Sequence, residues 1–84
     1  MGTPASFEDI SKWFDEGRAK QATHMIVKSD HRSGTNYPIF AQNLEDLRKK
    51  MDQNLTMWCG IEEVYSMKMP KAQQMAETRA WHPN

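Results

Sequence analysis

The side chains best suited to metal or nucleophile chemistry are scattered along the sequence. They are the three histidines and the single cysteine: His24, His31, His82 and Cys59. No two of them have the spacing of two to four residues that is typical of zinc ligands. Cys59 lies in an apolar stretch, which predicts a buried, inert thiol rather than an activated nucleophile. We therefore predict no metal site, no cofactor and no catalytic residue.

Other catalytic patterns are equally weak. Glu62 and Glu63 form a carboxylate pair within a predicted strand. Adjacent strand residues face opposite sides of a sheet, so these two carboxylates are not expected to share a proton. Ser33 and Gly34 are predicted to form a turn rather than a phosphate-binding loop. The sequence therefore favours binding over catalysis.

One set of side chains is suited to holding an anionic, planar ligand. Arginine and histidine neutralise phosphates, and tryptophan or tyrosine stacks on a base. Half of the set follows the first predicted strand, and half lies near the C-terminal end: His31, Arg32, Tyr37, Arg79, Trp81 and His82. If the last helix packs beside the first hairpin, the two halves converge. The alternative is that Trp81 covers the sheet edge and the charged groups are solvated.

The loop half of this set must be positioned by the strand before it. Residues 22–30 have the strongest strand signal, and the three successive apolar residues 25–27 are typical of a central strand covered on both faces. A polar turn follows. The second strand is predicted at 37–41, where Pro38 cannot donate a ladder hydrogen bond and so indicates an edge strand. The two strands form a hairpin.

Two amphipathic helices flank the hairpin. The first is predicted from the N-cap Ser6, with Asp9 in a capping box, to about residue 20. The second is predicted to follow the N-cap Asn43. Each carries an apolar face that we expect to be core: Phe7, Ile10, Trp13 and Phe14 in the first, and Leu44, Leu47, Met51 and Leu55 in the second.

The remaining elements complete the predicted topology. A third strand lies within 57–67, where Gly60 marks a candidate bulge, and a closing helix runs from Pro70 to about residue 82. If the third strand pairs with the first, the sheet order is 2-1-3 and every pair is antiparallel. We therefore predict one α+β domain over residues 1–84, with topology α-β-β-α-β-α. It is a two-layer arrangement of a three-stranded antiparallel sheet with helices, and residues 1–5 are predicted to be disordered.

Bulk composition narrows the function classes. Eleven basic and eleven acidic residues cancel, so no net field favours nucleic acid or anionic lipid. No apolar run reaches the roughly 20 residues that span a bilayer. The lone cysteine and the absence of a leader pattern suit the cytoplasm. Only 38% of the 84 residues are apolar, which favours considering a homodimer built on the free edge of the third strand.

Short words of the sequence resemble a group of small uncharacterised proteins of bacteriophages and bacteria. These words are Ala22-Thr23-His24-Met25-Ile26-Val27 with Asp30, Tyr37-Pro38-Ile39-Phe40, Glu63-Val64-Tyr65-Ser66-Met67 and Arg79-Ala80-Trp81-His82. The resemblance covers most of the chain. It implies a phage or mobile-element accessory protein in the host cytoplasm, and it implies no activity and no site residue.

Three function classes remain as hypotheses. The leading one is a non-enzymatic binding module that engages a host protein, with an anti-defence role; it predicts an exposed apolar or aromatic patch. The alternative is a module that sequesters a small nucleotide signal in a pocket lined by the arginine, histidine and aromatic set. The third is a small enzyme, which no group of residues supports.

Overall fold

Six elements follow the predicted order in the computed structural model, which describes residues 5–83. They are α1 (Phe7–Ala19), β1 (His24–Asp30), β2 (Asn36–Ala41), α2 (Leu44–Asn54), β3 (Cys59–Ser66) and α3 (Lys71–Met75). The predicted fold class and strand order are confirmed, because β1 lies between β2 and β3 and is antiparallel to both. Of the residues predicted to be disordered, 1–4 lie outside the described residues. The N–H of Ala5 donates to Asn36 Oδ1 at 3.3 Å.

Both predicted N-caps are confirmed. Ser6 Oγ accepts from the Asp9 N–H at 3.1 Å, and the Asp9 carboxylate accepts from the Ser6 N–H at 3.1 Å, which completes a capping box at α1. At α2, Asn43 Oδ1 accepts from the Asp46 N–H at 2.7 Å. The Asp46 carboxylate in turn accepts from the Gln42 N–H, and this bond is the main reason that the pKa of Asp46 is lowered.

Alternation along β1 divides the core into two clusters, one on each face of the sheet. Met25 and Val27 pack with Phe14 of α1, and Met75 of α3 joins this cluster. Ile26 packs on the other face with residues of α2 and β3. The helices therefore cover both faces, with α1 and α3 on one and α2 on the other. The sheet is the middle of three layers, which differs from the expected layer count and explains why residues 25–27 are all buried.

The first edge of the sheet is β2, as Pro38 predicted. Pro38 lies opposite Val27 and has no N–H to offer a further strand. The carbonyl of Phe40 accepts from Lys50 Nζ at 2.8 Å. This edge is therefore poorly suited to pairing with another chain.

The last segment departs from prediction. α3 ends at Met75, whereas the closing helix was predicted to run to about residue 82. The chain instead runs parallel to β3, where the Val64 N–H donates to Ala80 O at 2.9 Å and the His82 N–H donates to Val64 O at 2.9 Å. A continued helix would leave these backbone groups of Val64 unpaired, so the extended tail is favoured.

Two side chains complete the edge of β3. Gln74 is fully buried; its Oε1 accepts from the Ser66 N–H at 2.8 Å and its Nε2 donates to Ser66 O at 2.8 Å. Arg79 donates from Nε to Glu62 O at 2.7 Å and from Nη2 to Ile61 O at 3.2 Å. The edge that was expected to extend the sheet across a dimer is thus occupied by the chain's own groups between Ile61 and Ser66.

Candidate functional site

The C-terminal half of the predicted ligand set holds the tail in place. The Arg79 guanidinium lies 4.3 Å from the centroid of the Trp81 ring, and its N–H groups donate to carbonyls of β3. His82 Nε2 lies 2.8 Å from Glu77 Oε2. The Arg79 and His82 side chains therefore already have partners within the protein.

Two residues of the loop half, His31 and Arg32, contact Trp58, which lies outside the predicted ligand set. The His31 N–H donates to Trp58 O at 2.6 Å, and the Arg32 guanidinium lies 5.5 Å from the Trp58 ring centroid. The loop is held by Asp30, whose carboxylate accepts from the Arg32 N–H at 2.9 Å. This hydrogen bond and the Arg32 charge hold the pKa of Asp30 below its usual value.

The two halves lie at different edges of the sheet. Tyr37 is in β2, and the segment 79–82 lies beside β3 with β1 between the two strands. Three strand spacings of about 4.8 Å place roughly 14 Å between Tyr37 and the tail. The predicted convergence required a long closing helix packed beside the hairpin, and the chain is extended there instead.

Three large apolar side chains are exposed in the connection between α2 and β3. Leu55, Met57 and Trp58 are 58%, 78% and 50% exposed. Leu55 was predicted to belong to the buried face of α2, but α2 ends at Asn54 and β3 begins at Cys59. The detectable signal was that the helical and strand patterns both stop here, which leaves apolar residues in a connection that must run over the surface.

Hydrogen bonds fix the shape of this connection. Thr56 Oγ1 accepts from the N–H of Trp58 at 3.2 Å and from the N–H of Cys59 at 3.1 Å. The Thr56 N–H donates to Cys59 O at 3.0 Å. Cys59, predicted to be buried, is only partly so. We call Arg32, Leu55, Met57 and Trp58 the turn patch.

Tyr37 lies beside the turn patch through a chain of contacts. Lys28 Nζ is 6.0 Å from the Tyr37 ring centroid and donates to Asn54 Oδ1 at 3.2 Å. Asn54 directly precedes Leu55, and the Tyr37 side chain is 43% exposed. Tyr37 is therefore linked through Lys28 to the start of the α2–β3 connection, and Arg32 contacts the Trp58 ring at the other end.

A β-bulge shapes a separate cleft of about 350 Å³ next to the tail. Val27 lies opposite Glu63 and Lys28 lies opposite Ile61, so Glu62 is the extra residue. The bulge was expected at Gly60. Because it breaks the alternation, both glutamates line the cleft, contrary to the prediction that they face opposite sides. The lining residues are Ala5, Ile10, Val27, Asn36, Glu62, Glu63, Thr78 and Arg79.

Within this cleft, Glu63 is engaged by the protein itself. Its Oε2 accepts from the Ala80 N–H at 3.2 Å. Burial, followed by the charge of Glu63 and a hydrogen bond to it, raises the pKa of Tyr65. Glu63 therefore helps to hold the tail. Among residues 5–83, no group of three His, Cys, Asp or Glu side chains is arranged to hold a metal ion.

Comparison with known proteins gives no match to a protein-family model, to a curated protein or to a solved structure. The resemblance to phage and bacterial proteins thus stays a prediction. In the part of the chain that the structure describes, no helix has the length and apolar character needed to cross a membrane.

Proposed function

We propose that this protein is a non-enzymatic binding module that engages a host protein through the turn patch. The observation that carries the proposal is that Leu55, Met57 and Trp58 are all exposed. They lie within a span of four residues, 55–58, whose shape is fixed by hydrogen bonds. Contiguous exposed apolar side chains mark interaction sites, whereas single ones are ordinary. A turn that is already ordered loses little conformational entropy when it binds.

The composition of the patch is that of an interface centre. Tryptophan, methionine, tyrosine and arginine are enriched at such centres, and tryptophan and arginine dominate binding energies. Trp58 and Met57 supply the apolar area. The Arg32 side chain is 64% exposed beside them. The partner protein should therefore present an apolar pocket that receives Trp58 and a carboxylate at the rim of that pocket that pairs with Arg32.

The closed sheet edges favour this mode of binding over strand addition. Pro38 interrupts the donors of β2, and the tail with Gln74 and Arg79 occupies β3. A partner strand would have to displace these groups. Recognition through projecting side chains needs no such displacement.

The nucleotide hypothesis has less support from the contacts. Its strongest phosphate ligand, Arg79, donates to two carbonyls of β3, and His82 is paired with Glu77. Releasing these groups for a ligand would detach the tail from the sheet. The binding-module proposal uses exposed apolar side chains, and its cation, Arg32, is 64% exposed although its Nε lies 3.6 Å from Asp30 Oδ1.

The test compares proteins captured from a bacterial lysate by three immobilised proteins. These are the wild type, the double variant Met57→Ala with Trp58→Ala, and the control Leu44→Ala, which removes an exposed apolar side chain from α2. We expect a protein that the wild type and the control retain and the double variant loses. With that protein purified, Trp58→Ala should weaken the dissociation constant about 30-fold or more, as loss of an interface anchor does.

Two checks make the outcome decisive. Far-ultraviolet circular dichroism should show the same fold for all three proteins, because the substituted side chains are exposed. Identical capture by the wild type and the double variant would refute the assignment of the turn patch. A thermal upshift with nucleotides that Arg79→Ala removes would support the nucleotide hypothesis instead.

A further inference from the structure

A second apolar surface lies on the opposite face of the sheet from α2. A groove of about 320 Å³ runs between α1 and α3. Its lining is mainly apolar: Phe7, Ser11, Lys71, Ala72, Met75 and Ala76. Phe7 was predicted to be core, but its side chain is 67% exposed at one wall of the groove. The reason is that Ile10, Trp13 and Phe14 already fill the contact of α1 with the sheet.

We infer that this groove is the contact between two copies of the chain, with Phe7 of each copy seated in the groove of the other. In a twofold-symmetric contact, the same surface meets itself, so a projection and its receiving hollow must lie side by side on one surface. Phe7 and the wall formed by Ala72, Met75 and Ala76 meet this requirement.

The groove has room for the ring. A cavity of roughly 150 Å³ lined by aliphatic side chains accommodates benzene. The groove here is about 320 Å³ and is open along one side. A phenyl ring from a second copy therefore fits beside the ring that forms the wall, and two aromatic rings placed edge to face attract each other.

The charges around the groove are complementary in the same arrangement. Glu8 is exposed directly beside Phe7, so it approaches the second copy together with the ring. The rim that receives the ring carries both signs of charge: Lys71 forms part of the wall beside the exposed Asp15, and Lys12 is exposed next to Ser11 in the sequence. Lys71 is held at that place by Asp15, with Nζ 2.9 Å from Oδ1. Glu8 of one copy thus approaches a rim that holds two lysines of the other.

This dimer differs from the one expected from the sequence, and it uses a surface separate from the turn patch. Sheet extension through β3 is blocked by the tail, whereas the α1–α3 groove is covered by nothing in the described part of the chain. A dimer through this groove carries two turn patches. Two patches on one particle bind a partner that has paired sites with greater avidity than one patch does.

The first test is the oligomeric state over a range of protein concentrations, measured by sedimentation velocity. The wild type should shift from monomer to dimer as concentration rises. Phe7→Ala removes two rings per dimer, and the dissociation constant should rise at least about 30-fold. Leu44→Ala, which removes an apolar side chain of α2 with 40% exposure, should behave like the wild type.

The second test uses disulfide crosslinking to check which residues face each other across the proposed contact. With Cys59 replaced by serine, Ser11→Cys places a thiol at the centre of the proposed contact, and mild oxidation should yield a disulfide-linked dimer. Ser33→Cys in the same background lies in the β1–β2 loop and should stay uncrosslinked. The crosslink should vanish when Phe7→Ala is added.

Several outcomes would overturn the inference. They are a wild type that remains monomeric up to its highest soluble concentration, a dimer that Phe7→Ala leaves unchanged, or crosslinking that is equal at positions 11 and 33. Ala72→Glu guards against a folding artefact, because it introduces a charge into the groove at an exposed helical position. It should dissociate the dimer while the thermal midpoint of the monomer stays the same.

Discussion

Replacing Gln74 tests how the outer edge of β3 is closed. The Gln74 amide is fully buried and bonds to both backbone groups of Ser66, each at 2.8 Å. Its Nε2 also lies 3.2 Å from Met69 O and 3.4 Å from Pro70 O. Gln74→Leu fills nearly the same space but leaves the buried Ser66 N–H without its partner, and it leaves Ser66 O with the longer bond from the Met69 N–H at 3.3 Å.

The expected cost follows from these two groups. The unpaired Ser66 N–H costs about 1–3 kcal/mol and the bond lost at Ser66 O costs about 1 kcal/mol, so the total is roughly 2–4 kcal/mol. The more apolar leucine side chain offsets about 1 kcal/mol of this. A domain of 84 residues is stabilised by roughly 4–13 kcal/mol in total, so the variant should lose a large part of its stability.

Urea unfolding followed by circular dichroism measures this loss. Gln73→Leu is the matched control, since residue 73 is the exposed neighbour on the same helix. Amide hydrogen exchange should also show faster exchange at the Ser66 N–H in Gln74→Leu than in the control.

Gln74→Glu separates hydrogen bonding from packing. Its ionised carboxylate faces the carbonyls of Ser66, Met69 and Pro70, whereas the protonated acid restores one donor. The folded-state pKa of this carboxyl is therefore raised. The variant protein is then most stable at low pH and loses stability as the pH rises. Equal unfolding midpoints for Gln74→Leu and Gln73→Leu, or a pH-independent difference between Gln74→Glu and wild type, would refute the reasoning.

Two further predictions concern α1 and Tyr65. A Cβ at Gly17 would lie 3.0 Å from the Phe40 ring and 2.6 Å from Cε at the flexible end of Met67. Gly17→Val therefore requires the Phe40 ring to shift and should cost about 1–3 kcal/mol in urea unfolding; an unchanged midpoint would contradict this close approach. Burial and Glu63 raise the pKa of Tyr65 above its usual value of 10.0. The neutral phenol therefore stabilises the fold fully below pH 10.0, and this stability is lost as the pH rises above 10.0. Tyr65→Phe should therefore lose less stability than wild type between about pH 9 and about pH 11, and equal losses would count against the assignment.

The sheet was predictable because its signals are local. The apolar run at residues 25–27 requires cover on both faces, and Pro38 excludes its strand from the centre. These two facts leave only the order 2-1-3 if β3 pairs with β1. The caps Ser6 and Asn43 were equally readable, since a side-chain oxygen needs only a backbone N–H a few residues away.

The C-terminal segment was not predictable from local signals. Ala72, Met75 and Ala76 have helical spacing, and that pattern by itself gives no reason to stop at Met75. The helix ends because Val64, distant in sequence, offers an N–H and a C=O that the tail can pair. A helix of five residues has little stability of its own, so this long-range pairing decides the conformation.

The candidate site was predictable only in its chemical types. Arg32, one of the predicted ligand residues, lies in the turn patch, and Tyr37 is linked to its neighbour Asn54 through Lys28. Arg79 and His82 instead hold the tail. Met57 and Trp58 fell inside the range 57–67 within which the third strand was predicted. Their exposure depends on β3 beginning at Cys59, and that boundary is set by pairing with Asp30 of β1.

The sequence by itself determined the order of the elements, the central strand and the absence of net charge, because these depend on composition and on spacing within a few residues. The tertiary structure decided which apolar residues remain on the surface. Phe7 and Trp58 are residue types that are common in protein cores, yet each lies outside the area that the sheet and its helices bury. A side chain is buried only where another element lies against it, and that is a property of the assembled layers rather than of the residue or its neighbours.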